Sequence, residues 1–198
     1  MQPEYDEIEY KINARAENVD IFRRVMKMDS IPLDREYWTL CNVQNKKSGA
    51  EIVQMEDMGL IHKRQFHGVD RDPKIIKQNI KCHPDAHWYS GEWDEVIEEN
   101  KFNPAMIYLD MTAFTDNRIA LNLTVNTMLL CPSKTLLLIN TMLNDPRSRR
   151  TFDPREIISN LSSKIPTFEL KLWDEKVESY TYSATGRTSL VTHVLHKK

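Results

Sequence analysis

Carboxylates that follow apolar runs are the first chemistry this sequence offers. FHGVD ends in Asp70, AMIYLD ends in Asp110, and WYSGEW carries Glu92 and Trp93 just beyond a third short run. A carboxylate at the mouth of a strand can accept two hydrogen bonds from a vicinal diol, or take a proton from a nucleophile. An indole beside a carboxylate suits a flat base with an exocyclic amine. Each position also has a plainer reading. Asp70 would be a turn residue, Glu92 a first-turn glutamate favoured by the helix dipole, Trp93 a residue packed on the sheet, and Asp110 a strand-end turn with Thr112. Because Asp72 is itself placed to cap the helix that Pro73 opens, Asp70 is left over for a ligand.

The other reactive side chains are dispersed. The six His show no ligand spacing, since His62 and His67 straddle a helix–strand joint, His83 and His87 flank a strand start, and His193 and His196 share the last strand. No metal site is expected from that pattern. The three Cys, Cys41, Cys82 and Cys131, lie among apolar neighbours without a CxxC pair, as reduced, partly buried thiols do. GxSxG, Walker and CxxC signatures are missing, so hydrolase, nucleotide-triphosphatase and dithiol chemistry lack their parts. One basic stretch stands out, Arg147, Arg149, Arg150 and Arg155. Guanidinium groups there, Arg149 and Arg150 above all, suit a phosphate or a nucleic-acid backbone, with a solvated loop as the alternative.

These residues need a scaffold, and the chain is long enough to build one. It has 198 residues, 40% apolar and 28% charged, with 27 Lys and Arg against 29 Asp and Glu. A formal net charge of -2 gives no global field toward nucleic acid or acidic membrane, so contact with either would be local. No apolar run approaches the ~20 residues of a membrane span, and the acidic N-terminus is unlike a signal peptide, so a soluble, cytoplasmic protein is expected.

The first 35 residues read as a helical lead-in, with a helix from about Asp20 to Met28 carrying Ile21, Phe22 and Val25. Residues 36–198 read as one domain in which strands and helices alternate. Strands are expected at Tyr37–Val43, Phe66–Val69, Ala86–Tyr89, Ala105–Leu109 and Thr135–Ile139. Helices are expected at Gly49–Ile61, from Pro73 through Ile75, Ile76 and Ile80, at Trp93–Glu99, at Asn117–Leu130 and at Pro154–Ile165 behind Asp153. Phe168–Trp173, Val177–Ser183 and Ser189–Leu195, hinged at Thr185–Arg187, close the chain with β-like runs. Continuous apolarity over Ala105–Leu109 marks a central strand buried on both faces. The result is a doubly wound α/β sheet, mostly parallel and seven-stranded, with an antiparallel hairpin strand at its C-terminal side. In such a sheet ligands bind outside the carboxyl ends of the strands.

This order of elements, with GVDRDP, SGEW, IYLDMT and SGAEI each following a strand or opening a helix, resembles the class I S-adenosylmethionine-dependent methyltransferases from Tyr37 onward. The resemblance implies a Rossmann-like fold, S-adenosylmethionine as cofactor and methyl transfer as the activity. It implies that Asp70 meets the ribose hydroxyls, Glu92 and Trp93 the adenine, Asn42 the methionine side, and Asp110 the methyl group and its acceptor. Gly49 stands for the last glycine of the family's GxGxG loop, which here reads QNKKSGAEI and keeps one glycine. Two readings stay open: an active methyltransferase, or a methyltransferase-like module without catalysis that serves as a binding or structural subunit. A dinucleotide-dependent dehydrogenase is disfavoured, because GxGxxG does not follow the first strand.

Overall fold

A computed structural model describes residues 16, 18–24, 34–48, 50–110, 117–142, 170–172, 181–183 and 189–197. The chain divides into two compact units, Met1–Met106 and Ile107–Lys198.

In the first unit, strands β1 (Glu36–Leu40), β2 (Phe66–Asp70) and β3 (His87–Ser90) run parallel. β1 pairs with β2 from Tyr37↔Phe66 to Leu40↔Val69, and β2 with β3 from His67↔His87 to Asp70↔Ser90. Helices are α1 (residues 18–24), α2 (Glu51–Asp57), α3 (Pro73–Cys82) and α4 (Trp93–Glu99). Alternation along each strand sends odd and even residues of β1 to opposite faces. Tyr37 meets Phe22 of α1 edge-on at 5.7 Å and Phe66 at 5.4 Å. Trp38, on the other face, meets Trp93 of α4 and Phe102. Helices therefore cover both faces, and Ile21 and Phe22 draw α1 into the core of this unit.

Strand β4 (Pro104–Asp110) is buried from residue 104 to 109, as the continuous apolar run requires. The second unit continues with α5 (Asn117–Leu130), β5 (Thr135–Met142), β6 (Leu170–Leu172), β7 (Thr181–Ser183) and β8 (Ser189–Lys197). The sheet order is β3-β2-β1-β4-β5-β8-β6, with β7 also on β8. This is an α/β Rossmann-like fold in which β1 to β5 form the parallel part.

Several expected boundaries move, each for a local reason. The helix expected over Gly49–Ile61 is α2, which stops at Asp57. Gly59 takes a left-handed φ of 66°, its N–H bonds the Glu56 carbonyl at 2.9 Å, and the Leu60 N–H reaches back to the Met55 carbonyl at 3.1 Å. That is a Schellman stop, which glycine adopts without a Cβ penalty. The strand expected to Val43 ends at Leu40, because Asn42 and the residues after it bond a helix instead of the sheet. Among the described residues the sheet has eight strands rather than seven. β8 gives one edge to β5 over its whole length and the other to two short strands, β6 against Leu195–Lys197 and β7 against Ser189–Val191. A nine-residue strand is about 30 Å long, enough for both. The helix expected at 154–165 and the hinge at 185–187 lie outside the described residues.

Among the described residues, no helix is long and apolar enough to cross a membrane.

Candidate ligand site at the strand ends

The carboxyl ends of β1, β2 and β3 lie side by side, and the residues beyond them form the candidate site. Asp70 closes β2 opposite Ser90 of β3, and its carbonyl accepts the Gly91 N–H at 3.2 Å. Its Oδ1 accepts the Asp72 N–H at 2.7 Å, while Asp72 in turn caps α3 by accepting the Lys74 N–H at 2.8 Å. Pro73 sits in the first turn of α3, where its missing N–H costs nothing. Asp70 thus shapes the turn with one oxygen, and its second oxygen has no hydrogen bond among the described residues. Burial pushes its carboxyl above the usual range, against the Asp72 N–H and Arg71, which pull the other way.

At the end of β3, Glu92 is exposed and lies 3.8 Å from Arg71, so a loose ion pair spans the two strand-end loops. Glu92 makes no side-chain cap on α4, which leaves its carboxylate to the surface. Trp93 is buried, edge-on to Trp38 and to Phe102, so the packing reading describes its indole. Asn42 follows β1 and is half-buried. Cys41 is buried, and burial first, then the Asp70 and Glu51 carboxylates, push its thiol well above the usual range. It stays protonated and packs as a small core residue. Asp110 ends β4, partly buried, in the second unit. Gly49, Arg147, Arg149, Arg150, Arg155 and Thr112 lie outside the described residues.

The loop after β1 is where the sequence reading missed most. Asn79 of α3, fully buried, donates through Nδ2 to the Asn42 carbonyl at 3.0 Å and accepts the Gln44 N–H at 2.7 Å. The Gln44 side chain, also fully buried, accepts the Ile52 N–H at 3.3 Å and so satisfies the start of α2. One turn further along α3, His83 Nε2 donates to the Asn45 carbonyl at 2.8 Å. Burial lowers the His83 pKa, which keeps it neutral for this role. Glu51, buried at the first turn of α2, bonds the hydroxyls of Tyr37 and Thr39 on β1. Side-chain amides therefore hold the loop after β1.

A signal for Asn79 was present. In α3 and at its C-terminal end, Ile80 is 49% exposed while Ile76, Asn79 and His83 are buried. A polar residue in helical step with an apolar one marks a buried hydrogen bond. Gln44 and Glu51 gave no such signal, because their partners are set by tertiary packing.

Beneath the site, the rings of Trp38, His67 and His87 stack across β1, β2 and β3 at 4.4 Å steps. His67 shares a 3.1 Å hydrogen bond with the Tyr89 hydroxyl. Burial, with His87, lowers the His67 pKa to about 3, so its 4.0 Å approach to Glu36 is no ion pair at neutral pH. Gly68 is required here. A Cβ would stand 2.5 Å from the Trp88 ring and 3.0 Å from Cys41 Sγ. At the opposite, amino end of β2 lies a groove of about 500 Å³ lined by Glu56, His62, Lys63, Arg64, Gln65 and Asp85, with Lys63 paired to Glu56 at 2.9 Å. It lies away from the strand-end carboxylates. Among the described residues no group of three His, Cys, Asp or Glu is placed to hold a metal ion.

No family model and no curated protein matches the chain. Solved structures do. A S-adenosylmethionine-dependent methyltransferase from Clostridium acetobutylicum superposes with a TM-score of 0.58 at 8% identity, covering 90% of this chain and 90% of that one. The N-methyltransferase NodS from Bradyrhizobium japonicum gives 0.56 at 10% identity, covering 92% and 95%. A TehB-like S-adenosylmethionine-dependent methyltransferase from Corynebacterium glutamicum gives 0.50 at 15%, covering 94% and 100%. The likeness is one of fold.

Proposed function

We propose that this chain, which has the fold of the class I methyltransferases, binds S-adenosylmethionine across the carboxyl ends of β1 to β3 and passes its methyl group to a nucleophilic acceptor. Asp70 carries the reading. Its carboxylate is held at a strand end against the cost of burial, with one oxygen committed to the turn and the other available to the ribose diol. A turn alone needs only the first oxygen.

The residues present suit the cofactor along its length. Ser90 to Trp93 border the adenine, with Glu92 accepting from the exocyclic amine and Trp93 supporting that loop from the core. Asn42 and Gly49 belong to the loop facing the methionine side. When bound, the cofactor would supply an electrophilic sulfonium methyl group for a nucleophilic acceptor. The protein's contribution is alignment and exclusion of water, with Asp110 our candidate for the group that takes the acceptor's proton. Arg149 and Arg150 are our candidates for contacts to a nucleic-acid acceptor.

The second reading, a binding module without catalysis, is favoured by one observation: amides from Gln44 and Asn79 hold a loop that elsewhere is glycine-rich. Calorimetric titration with S-adenosylhomocysteine tests the first reading through Asp70→Ala. Loss of charge-assisted hydrogen bonds of about 1.5 to 3 kcal/mol should weaken binding roughly ten- to a hundredfold. Equal binding by variant and parent would leave Asp70 to the turn alone.

A further inference from the structure

Helix α3 shows opposite chemistry on its two sides. Ile76 and Asn79, with His83 just past its end, are buried, whereas Lys74, Lys77, Gln78 and Lys81 are exposed. At 3.6 residues per turn, lysines three and four apart form one stripe on the side away from those buried residues. α3 holds no Asp or Glu, and the three ammonium groups have no ion pair or hydrogen bond among the described residues. The stripe works against the helix that carries it. Lys77 and Lys81 are like charges four apart, and Lys74 lies in the first turn, where the helix dipole disfavours a cation. Cations so placed weaken α3 and gain from an anion that spans them.

Geometry and surroundings narrow what that anion is. Lys74 to Lys81 covers about 10 Å along the axis at ~1.5 Å per residue, the rise of about three steps of a nucleic-acid strand. That is also about one Debye length, so the stripe acts on a nearby ligand despite the net charge of -2. The exposed carboxylates Glu95, Glu98 and Glu99 belong to α4, which packs through Trp93 against Trp38. α3 packs through Asn79 against Cys41, and alternation along the strand puts Trp38 and Cys41 on opposite faces. Protein interfaces are depleted in Lys and anchored by aromatic residues, which the exposed side of α3 lacks, whereas interfaces with nucleic acid are rich in cations. A helix that lies on a membrane embeds its apolar side, and that side of α3 is buried in the protein.

We infer that Lys74, Lys77 and Lys81 of α3 form a contact surface for the phosphate backbone of a nucleic acid. The stripe starts four residues after Asp70, so a strand held along it reaches the carboxyl end of β2. Such contacts position a strand and read no sequence. The inference goes beyond the cofactor reading and stands without it.

The test titrates a fluorescein-labelled single-stranded RNA of about 20 nucleotides, and a DNA duplex of the same length, between about 50 and 200 mM salt. The proteins are the parent and the triple variant Lys74→Gln, Lys77→Gln, Lys81→Gln. Gln matches Lys in helix propensity, so the variant keeps α3, and Arg149 and Arg150 stay in place. Log affinity should fall linearly with log salt, and the triple variant's slope should be shallower by about two on the RNA or about three on the duplex, as three lost phosphate contacts imply. Lys77→Gln alone should lower it by a little under one, which decides the matter if the triple variant does not fold. A control that loses the same charge elsewhere, Lys11→Gln, Lys101→Gln, Lys198→Gln, should keep the parent's slope. No binding by the parent at about 50 mM salt, equal slopes in parent and triple variant, or an equal loss in the control overturns the inference. So does a triple variant altered only in self-association or only in binding to phosphatidylserine vesicles, since the stripe then meets a second copy or a membrane. S-adenosylhomocysteine titrated alongside separates the two readings. Nucleic-acid binding without it rejects the cofactor and keeps the stripe, and the reverse rejects the stripe alone.

Discussion

Acid should weaken this fold well above the carboxylate range, and His67 is the reason. Its ring lies between Trp38 and His87 in the β1–β2–β3 stack, and burial, with His87, lowers its pKa from 6.5 to about 3. The unfolded chain takes up a proton near pH 6.5, while the folded protein refuses it until about pH 3. Stability from this group is therefore complete above pH 6.5 and is lost as pH falls through the window from 6.5 to 3. Each pH unit between the two titrations is worth about 1.4 kcal/mol, so the loss reaches about 2 kcal/mol at pH 5 and about 5 kcal/mol below pH 3. Carboxylates titrate mostly below pH 5, which leaves the upper half of the window to histidine. His83, also buried with its pKa lowered, contributes in the same direction, so parent and variant must be compared. His67→Phe keeps a ring in the stack, removes the titration and loses the Tyr89 hydrogen bond as a constant offset. Urea unfolding at pH 7, 6 and 5 should show the parent losing about 2 kcal/mol more than His67→Phe. Parallel pH dependences of the two proteins would refute the burial of His67 and, with it, the register of β1 on β2 and β2 on β3.

Gly68→Ala should destabilise the protein by about 1 to 3 kcal/mol in the same unfolding assay, since its Cβ would enter the Trp88 ring and crowd Cys41 Sγ. Asp70→Asn keeps an acceptor for the Asp72 N–H but removes a charge that burial disfavours. A raised folded pKa means the parent loses stability as pH rises past the ordinary carboxylate value, so the variant should gain on the parent from pH 4 to 7 while binding S-adenosylhomocysteine less well; a less stable variant at pH 7 would contradict this. If Arg149 and Arg150 contact a nucleic-acid acceptor, RNA or DNA binding should fall linearly with log salt, and replacing both by Ala should reduce the slope by about one for each lost phosphate contact. An unchanged slope, or no binding at about 50 mM salt, would reject that acceptor class.

The legible parts of this fold are those written in adjacent residues. Trp93–Glu99 and Asn117–Leu130 form the helices that their apolar spacing predicts, and Asp72 with Pro73 opens α3 as a cap and a first-turn proline do. Ala105–Leu109 reads as a buried central strand because five apolar residues in succession admit little else. What the sequence concealed depends on partners far along the chain. Asn79 meets a loop 35 to 38 residues earlier, Gln44 caps a helix eight residues later, and neither spacing has a periodic signature. Trp93 was ambiguous for a different reason. A first-turn tryptophan looks the same whether it faces a ligand or the core, and only the position of Trp38 and Phe102 decides. The three closing strands fall at the expected β-like runs Phe168–Trp173, Val177–Ser183 and Ser189–Leu195, and two of them shrink to three residues because each pairs with only one end of β8.

The most direct measurement is binding of S-adenosylmethionine and S-adenosylhomocysteine to the parent protein, read by calorimetry and by thermal shift. A ligand held at 100 times its dissociation constant should stabilise the fold by about 2.7 kcal/mol, and one molecule should bind per chain. No heat and no shift at millimolar ligand would contradict the account and leave a methyltransferase fold that serves as a binding module.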